Sequence, residues 1–214
     1  MQRDDDTEFT KPRPFRRREH AAAAVVAGVV LLVTALFVDA NHVGGLEVDL
    51  FRFFNDLSDA FYWVVWAVMQ LGNVVAVPVV AALALLARRF RLAAGLLMSG
   101  LTVWLLAKVV KVVVERGRPA ELIEDVVLRH APAAGHGYIS GHAAVAAALA
   151  TVAGPYLGRR LKVLAWVLAA LVGVARVYVG AHLPLDAIGG AALGWGIGSL
   201  VNVVLGPPAR RSGQ

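Results

Sequence analysis

Cysteine is absent from the 214-residue chain, which excludes disulfides, thiolate metal sites and a cysteine nucleophile. Charge is scarce as well: 17% of the residues are Asp, Glu, Lys or Arg, against about 25% in an ordinary soluble domain. The charges that remain fall in short runs between long apolar stretches, and 58% of the residues are hydrophobic. A chain that dissolves in lipid is written this way, because about 20 apolar residues cross a bilayer. Several spans consume most of the length, so one domain is expected and no separate soluble one. The formal charge of +6 invites a nucleic-acid reading. The basic residues flank apolar stretches, however, where they set topology, and no nucleic-acid partner is expected.

Residues 1–20 are polar and include the runs Asp4-Asp5-Asp6 and Arg16-Arg17-Arg18. Ala21 to Val38 then carries no charge over 18 residues. A secretory signal has a shorter apolar region, about 7–15 residues, and a small-residue cleavage site. Phe37-Val38-Asp39-Ala40 is a poor one, so a retained transmembrane helix is expected. Asn41 to Ala60 mixes Phe51, Phe53 and Phe54 with Asp49, Asp56 and Asp59, as an amphipathic segment at the interface would. Further spans are expected over Phe61–Ala87, Leu92–Val114, Gly141 to just before Arg159, Val163–Gly180 and Pro184–Leu205. The fold class expected is all-α: a six-helix transmembrane bundle over residues 21–205, with short tails at 1–20 and 206–214.

Direction follows from charge. Fourteen Lys and Arg lie in the N-terminal segment, the 88–91 turn, the 159–162 turn and the tail. The opposite loops hold Arg52, Arg116, Arg118 and Arg129, with Lys108, Lys111 and Arg176 near helix ends. The positive-inside rule then puts both termini in the cytoplasm and the 115–140 loop outside. Gly190, Gly194 and Gly198 form a small-residue stripe that lets helices approach closely. Packing within the chain is preferred for it over a homodimer face, and the oligomeric state stays open.

Ionisable groups in or beside membrane spans are costly and mark function. They fall in three clusters, all mapping to the outer face. In Lys111-Val-Val-Val-Glu-Arg-Gly-Arg118-Pro119 a lysine nears the end of span three, an arginine lies beyond it, and Pro119 is expected to end the helix; a snorkelling lysine is the plainer reading. Lys108, three residues before Lys111, is assigned to snorkelling or pairing. In Gly137-Tyr138-Ile139-Ser140-Gly141-His142 Ser140 suits an N-cap, leaving the Gly141 and His142 amides at a helix terminus that favours anions; an ordinary capped helix is the alternative. In Arg176-Val-Tyr-Val-Gly-Ala-His182-Leu-Pro-Leu-Asp186 Pro184 suits a first helical turn, so Asp186 can reach back towards His182, fix its tautomer and raise its basicity. Asp186 as a simple helix-start residue is the alternative there.

Together the clusters set three cations, a capped helix terminus and two histidines at one depth. Phosphate needs its oxygens neutralised by cations and preorganised N–H donors. One histidine can attack phosphorus while the other protonates the leaving oxygen. Asp186 is the only acid at a core position of these clusters and nothing in them resembles a divalent-metal cage, so no metal and no other cofactor is expected.

The pattern Lys-x6-Arg-Pro, Ser-Gly-His, Arg-x5-His-x3-Asp, carried by Lys111, Arg118, Pro119, Ser140, Gly141, His142, Arg176, His182 and Asp186, resembles the type 2 phosphatidic acid phosphatase superfamily. The resemblance implies that His182 forms a phosphohistidine, Asp186 orients it, and His142 acts as general acid and then base. It implies that Lys111, Arg118, Arg176, Ser140 and the Gly141 amide hold the phosphate, without a metal. The expected partners are membrane lipids and a lipid phosphate or polyprenyl diphosphate substrate, cleaved at the outer face of the cell membrane. Ile139 and Ala175 depart from the family's Pro and Ser, and neither change removes a proton donor, nucleophile or cation. His130 and His136 read as solvated loop histidines, and Glu121, Glu124 and Asp125 as wet surface. Tyr138 either packs over the site or anchors at the interface. A phosphotransferase, a transporter using Gln70, Asn73 and Asn202, and a non-catalytic lipid binder are the competing readings.

Overall fold

The structure, a computed structural model, describes residues 17–206. Residues 1–16, with the acidic run and four of the basic residues of the N-terminal segment, and the basic tail after Gly206 lie outside the described residues, and part of the orientation argument rests on them. The described residues are helical and contain no strand: α1 (Arg17–Phe37), α2 (Gly45–Asn55), α3 (Tyr62–Met69), α4 (Ala76–Leu86), α5 (Phe90–Val114), α6 (Pro119–Leu122), α7 (Gly141–Ala153), α8 (Arg159–Tyr178) and α9 (Pro184–Leu205). Four helical stretches are long and apolar enough to cross a membrane: Arg17–Phe37, Phe90–Leu122, Arg159–Tyr178 and Pro184–Leu205, the second comprising α5 and α6. The protein is therefore an integral membrane protein.

Two of the expected spans differ from straight helices. The apolar run over 61–87 is a bent pair, Asp59–Gly72 and Ala76–Leu86, meeting at 67°. The break is built locally. Asn73 donates to Gln70 Oε1 at 3.4 Å and accepts from the Val75 N–H at 3.1 Å, giving the freed backbone a partner. Gly72 lets the break press on α7, since a Cβ there would lie 2.5 Å from the His142 carbonyl oxygen. The fourth expected span, α7, is 13 residues long. At 1.5 Å per residue that is about 20 Å, short of the roughly 30 Å of a hydrocarbon core. It ends in a 3₁₀ turn over Gly154–Tyr156, where Pro155 supplies no N–H to continue the helix.

The short helix is the centre of the bundle. Every residue of α7 from Ala143 to Val152 is buried. In α9 half of the apolar window is buried, in α1 only 11%, so α9 flanks the centre and α1 leaves most of its surface to lipid. The glycine stripe makes the α7–α9 contact. A Cβ on Gly190 would land on the Ser140 carbonyl, one on Gly194 on the Ala144 carbonyl, and one on Gly198 2.8 Å from Thr151 Cβ. The stripe thus packs within the chain, where close backbone approach supplies the van der Waals contact that lipid tails do not. Asn202 donates to the Thr151 carbonyl at 2.8 Å. With Gln70 donating to Trp66 O, the deep polar groups needed by a transporter are tied to nearby backbone.

Candidate functional site

Four helix ends meet at one pole: the C-termini of α5 and α8 and the N-termini of α7 and α9. α5 closes at Val114, where Glu115 takes a left-handed conformation with φ 49°. Pro119 does not end this helix, contrary to the sequence expectation; it is the first residue of α6, where its missing N–H leaves no bond unmade. α8 closes at Tyr178, and the Gly180 that follows has φ 75°. A Cβ at Gly180 would also lie 2.8 Å from the Val127 carbonyl, so both conformation and space require glycine there.

Ser140 caps α7, accepting from the Ala143 N–H at 3.5 Å, and its own N–H donates to the Asp186 carbonyl at 2.8 Å. The two N-termini are thereby bolted together. Among the described residues, and leaving aside its chain neighbours and its own helix, nothing lies within 4 Å of a Cβ built on Gly141, so no packing contact demands glycine there. Pro184 opens α9, and Asp186 sits in its first turn as expected, accepting from the Leu183 N–H at 2.8 Å. The same oxygen, Oδ2, lies 3.6 Å from His182 Nδ1. That is beyond hydrogen-bond length, and Nδ1 is buried with no protein partner. The carboxylate therefore serves as the helix-start residue of α9 and lies beside His182 without a hydrogen bond to it.

Three cations face this pair. Lys111 Nζ donates to the His136 and Gly137 carbonyls at 2.9 and 3.0 Å. Arg118 Nη1 donates to the Ala181 carbonyl at 2.9 Å, and Arg176 Nη1 rests 2.9 Å from Met69 Sδ, a weak acceptor. The Nε of Arg118 and the Nε of Arg176 are buried without a protein partner. Lys111, Arg176, Arg118 and His142 are all electrostatic neighbours of His182, which is 3% exposed. Burial first, and then these charges, push the His182 imidazole well below its ordinary pKa, so it is the free base at neutral pH. The structure thus brings together every site residue expected from the sequence, with Gly141 and His142 at the mouth of α7.

Two further residues belong to the cluster. Arg116 is 1% exposed and donates from Nη1 to Asp186 Oδ1 at 2.9 Å. Its other partner is Glu47 of α2, at 3.2 Å and 2.6 Å through both carboxylate oxygens. The sequence expectation treated Arg116 only as a loop charge and gave Glu47 no role. The one available signal was an acid beside the apolar residues of a short amphipathic segment, which also describes Asp49.

Tyr138 is wholly buried and turns towards α1, donating to the Leu31 carbonyl at 3.1 Å and meeting Thr34 Oγ1 at 2.8 Å. It anchors the loop that carries Ser140 and does not cover the site. Gly137 passes between Gly117 and Asp186: a Cβ would lie 2.6 Å from one carbonyl and 3.2 Å from the Asp186 carboxylate. His130 and His136 are exposed, as are Glu121, Glu124 and Asp125. Lys108 is placed over the Trp104 ring at 3.5 Å, a cation–π pair outside the cluster.

A helical membrane protein with buried cations around a histidine–aspartate pair is a protein built to handle an anion next to lipid. The sequence profile of the PAP2 superfamily matches residues 89–207, and the chain belongs to that superfamily. It is 29% identical over 168 residues to an undecaprenyl-diphosphatase of Sulfolobus acidocaldarius, covering 78% of this chain and 82% of that one. The crystal structure of Aquifex aeolicus LpxE superposes with a TM-score of 0.69 at 26% identity, over 74% of this chain and 95% of that one. The PAP2-type phosphatidylglycerolphosphate phosphatase of Bacillus subtilis superposes with a TM-score of 0.65 over 84% and 94%; at 23% identity it speaks for the fold alone.

Proposed function

We propose that this protein hydrolyses a lipid phosphate or polyprenyl diphosphate at the outer leaflet of the cell membrane, without a metal and through a phosphohistidine on His182. The observation that carries the proposal is the buried pole itself: a neutral histidine beside a fixed carboxylate, facing Lys111, Arg118 and Arg176. The undecaprenyl-diphosphatase relative supports a lipid diphosphate among the substrates.

With Nδ1 turned to Asp186, His182 attacks phosphorus through Nε2. The new N–P bond forms as the P–O bond to the leaving group breaks. His142 gives the leaving oxygen a proton, then takes one from the water that cleaves the N–P bond. Lys111, Arg118, Arg176, Ser140 and the Gly141 N–H hold the phosphoryl oxygens, and the two orphaned guanidinium nitrogens find acceptors there. Metal independence rests on the donor set. Asp186 and Glu47 are both bonded to Arg116, and no group of three or more His, Asp or Glu residues among the described residues is placed to hold a metal ion.

The membrane topology proposed is six crossings over residues 21–205, counting the bent pair as one and α7 with its 3₁₀ turn as another. Both tails, 1–20 and 206–214, lie in the cytoplasm, following the basic turns at 88–91 and 159–162.

The test is phosphate release in EDTA from polyprenyl diphosphate, phosphatidic acid and phosphatidylglycerol phosphate, with His182→Ala as the blank. Release from at least one lipid, absent in the blank, is expected. Full activity of His182→Ala, or absolute dependence on added Mg²⁺, would overturn the proposal.

A further inference from the structure

We infer that Glu47, on the amphipathic helix α2 and outside all three sequence motifs, is a positioning residue for the nucleophile, acting through Arg116 and Asp186 on His182. The inference rests on the phosphatase reading above and assigns that site a part it does not yet have.

The chain of contacts is buried, bonded from Glu47 through Arg116 to Asp186, with His182 adjacent to the last carboxylate. Glu47 grips Arg116 through both oxygens, Arg116 donates to Asp186 Oδ1 at 2.9 Å, and Asp186 Oδ2 faces His182 Nδ1 at 3.6 Å. Side-chain exposure falls along it, from 10% at Glu47 to 1% at Arg116 and 0% at Asp186. Burying three charges is expensive, and a buried triad is weak evidence for stability, so its presence beside the nucleophile calls for another role.

Geometry supplies one. Oδ2 of Asp186 is held by the Leu183 N–H and Oδ1 by Arg116, so the carboxylate plane is fixed from both ends. Arg116 can serve as that second hold only if its own fork is fixed. The bidentate grip of Glu47 does this, since a planar guanidinium held at two nitrogens has one orientation left. Glu47 also accepts from the Leu185 N–H at 2.9 Å, so α2 registers directly against the first turn of α9.

Charge supplies the second part. Arg116 alone would place its whole positive charge against Asp186 and draw the carboxylate away from its task of stabilising charge on His182. Shared with Glu47, that charge is divided. Leu46, Leu50 and Phe53 are exposed on the same helix while Phe51 is buried. An interfacial helix therefore carries, on its inward side, the group that sets the nucleophile.

The experiment compares purified full-length wild type, Glu47→Gln, Asp186→Asn and the double variant on whichever lipid the wild type hydrolyses, with His182→Ala as blank. The glutamine keeps the shape and can still accept from Leu185. For Glu47→Gln we expect kcat to fall about 10-fold or more, KM to stay within about 2-fold and the melting temperature to hold, the mark of an interaction made in the transition state. In the Asp186→Asn background the same change should cost less than about 2-fold, because the two residues act as one unit.

An unchanged kcat, or an equal loss in both backgrounds, overturns the inference. If Glu47→Gln does not yield a monodisperse protein, Glu47→Asp takes its place, keeping the charge at shorter reach. It should fold and lose about 3-fold or more in kcat at unchanged KM, and wild-type kcat there overturns the inference equally. A wild type with no activity above His182→Ala sinks the phosphatase reading itself. An active wild type, a dead blank and a normal Glu47→Gln sink only the role of Glu47.

Discussion

The helices that frame the site end in arginines at both poles and treat them oppositely. At the site pole Arg116 and Arg176 are buried, Arg118 is half-buried, and each side chain has a named contact. At the far pole Arg88, Arg89, Arg91, Arg159, Arg160 and Lys162 are exposed, and a single bond to the Tyr156 carbonyl, 3.4 Å from Arg89, joins two of the turns. Residue type is the same and desolvation is not. A guanidinium in water exerts a screened field and serves topology. One taken out of water must be bonded, and whatever it is bonded to becomes rigid and strongly charged. Substitutions at the two poles should therefore differ in kind.

The largest effect is expected between the poles. Gly194→Leu would drive a side chain into the Ala144 carbonyl of α7, a backbone atom that cannot turn aside. A loss above about 4 kcal/mol is expected, read as failure to recover monodisperse protein by size exclusion. A folded, active variant would show that the α7–α9 contact does not carry the site.

Next is Arg116→Met, which breaks the buried triad from its centre. Two carboxylates, Glu47 and Asp186, would be left without the guanidinium that is hydrogen-bonded to both. The cost expected is about 3–5 kcal/mol of stability, measured as a lower melting temperature, together with loss of phosphate release. Arg160→Met, the same change at the far pole, is the control that sharpens the comparison.

How much of this was legible beforehand follows the same division. The three motifs are local, none longer than eleven neighbouring positions, and Pro184 with Asp186 predicts the α9 cap from helix-start chemistry alone. The glycine stripe announces a close contact, and its partner proves to be α7. Glu47 and Arg116 are 69 positions apart, and neither falls on a periodic pattern, so their pairing exists only in three dimensions. The bend at Gly72 is hidden in the sequence because the apolar run continues through it, with only Gln70 and Asn73 as polar interruptions. α7 read as a full span because Gly154 and Pro155 sit inside an apolar stretch whose next charge is Arg159.

A smaller effect is expected on pH dependence. Catalysis through His182 needs the free base, and kcat/KM reports the free enzyme's ionisations. Burial and then Lys111, Arg176, Arg118 and His142 lower the His182 pKa, so its protonation places an acid limb below the ordinary histidine range. Arg118→Gln removes one of those positive charges, which stabilises the protonated imidazole and raises its pKa. The acid limb should therefore move to higher pH, measured from about pH 4.5 to 8 on one lipid for both enzymes. An unmoved limb would mean that Arg118 acts on substrate alone and not on the nucleophile's field.

The smallest effect is expected for Arg160→Ala at the far pole. Its neighbours have some packing to lose: Arg159 and Lys162 line a surface groove with Trp166, and the Lys162 stem passes 3.5 Å from the Cβ position of Gly154. Arg160 shares in neither contact. Its part is one vote among the fourteen basic residues assigned to the cytoplasmic side, and topology follows the sum of such charges over short loops and helix ends rather than any one of them. Stability should stay within about 0.5 kcal/mol of wild type, with turnover unchanged and the orientation of a C-terminal reporter the same. A loss of turnover in correctly inserted, stable Arg160→Ala protein would mean that the far pole is coupled to the site through α8, the helix that begins at Arg159 and ends beside Arg176. That result would erase the distinction between an arginine that sets topology and one that builds the site.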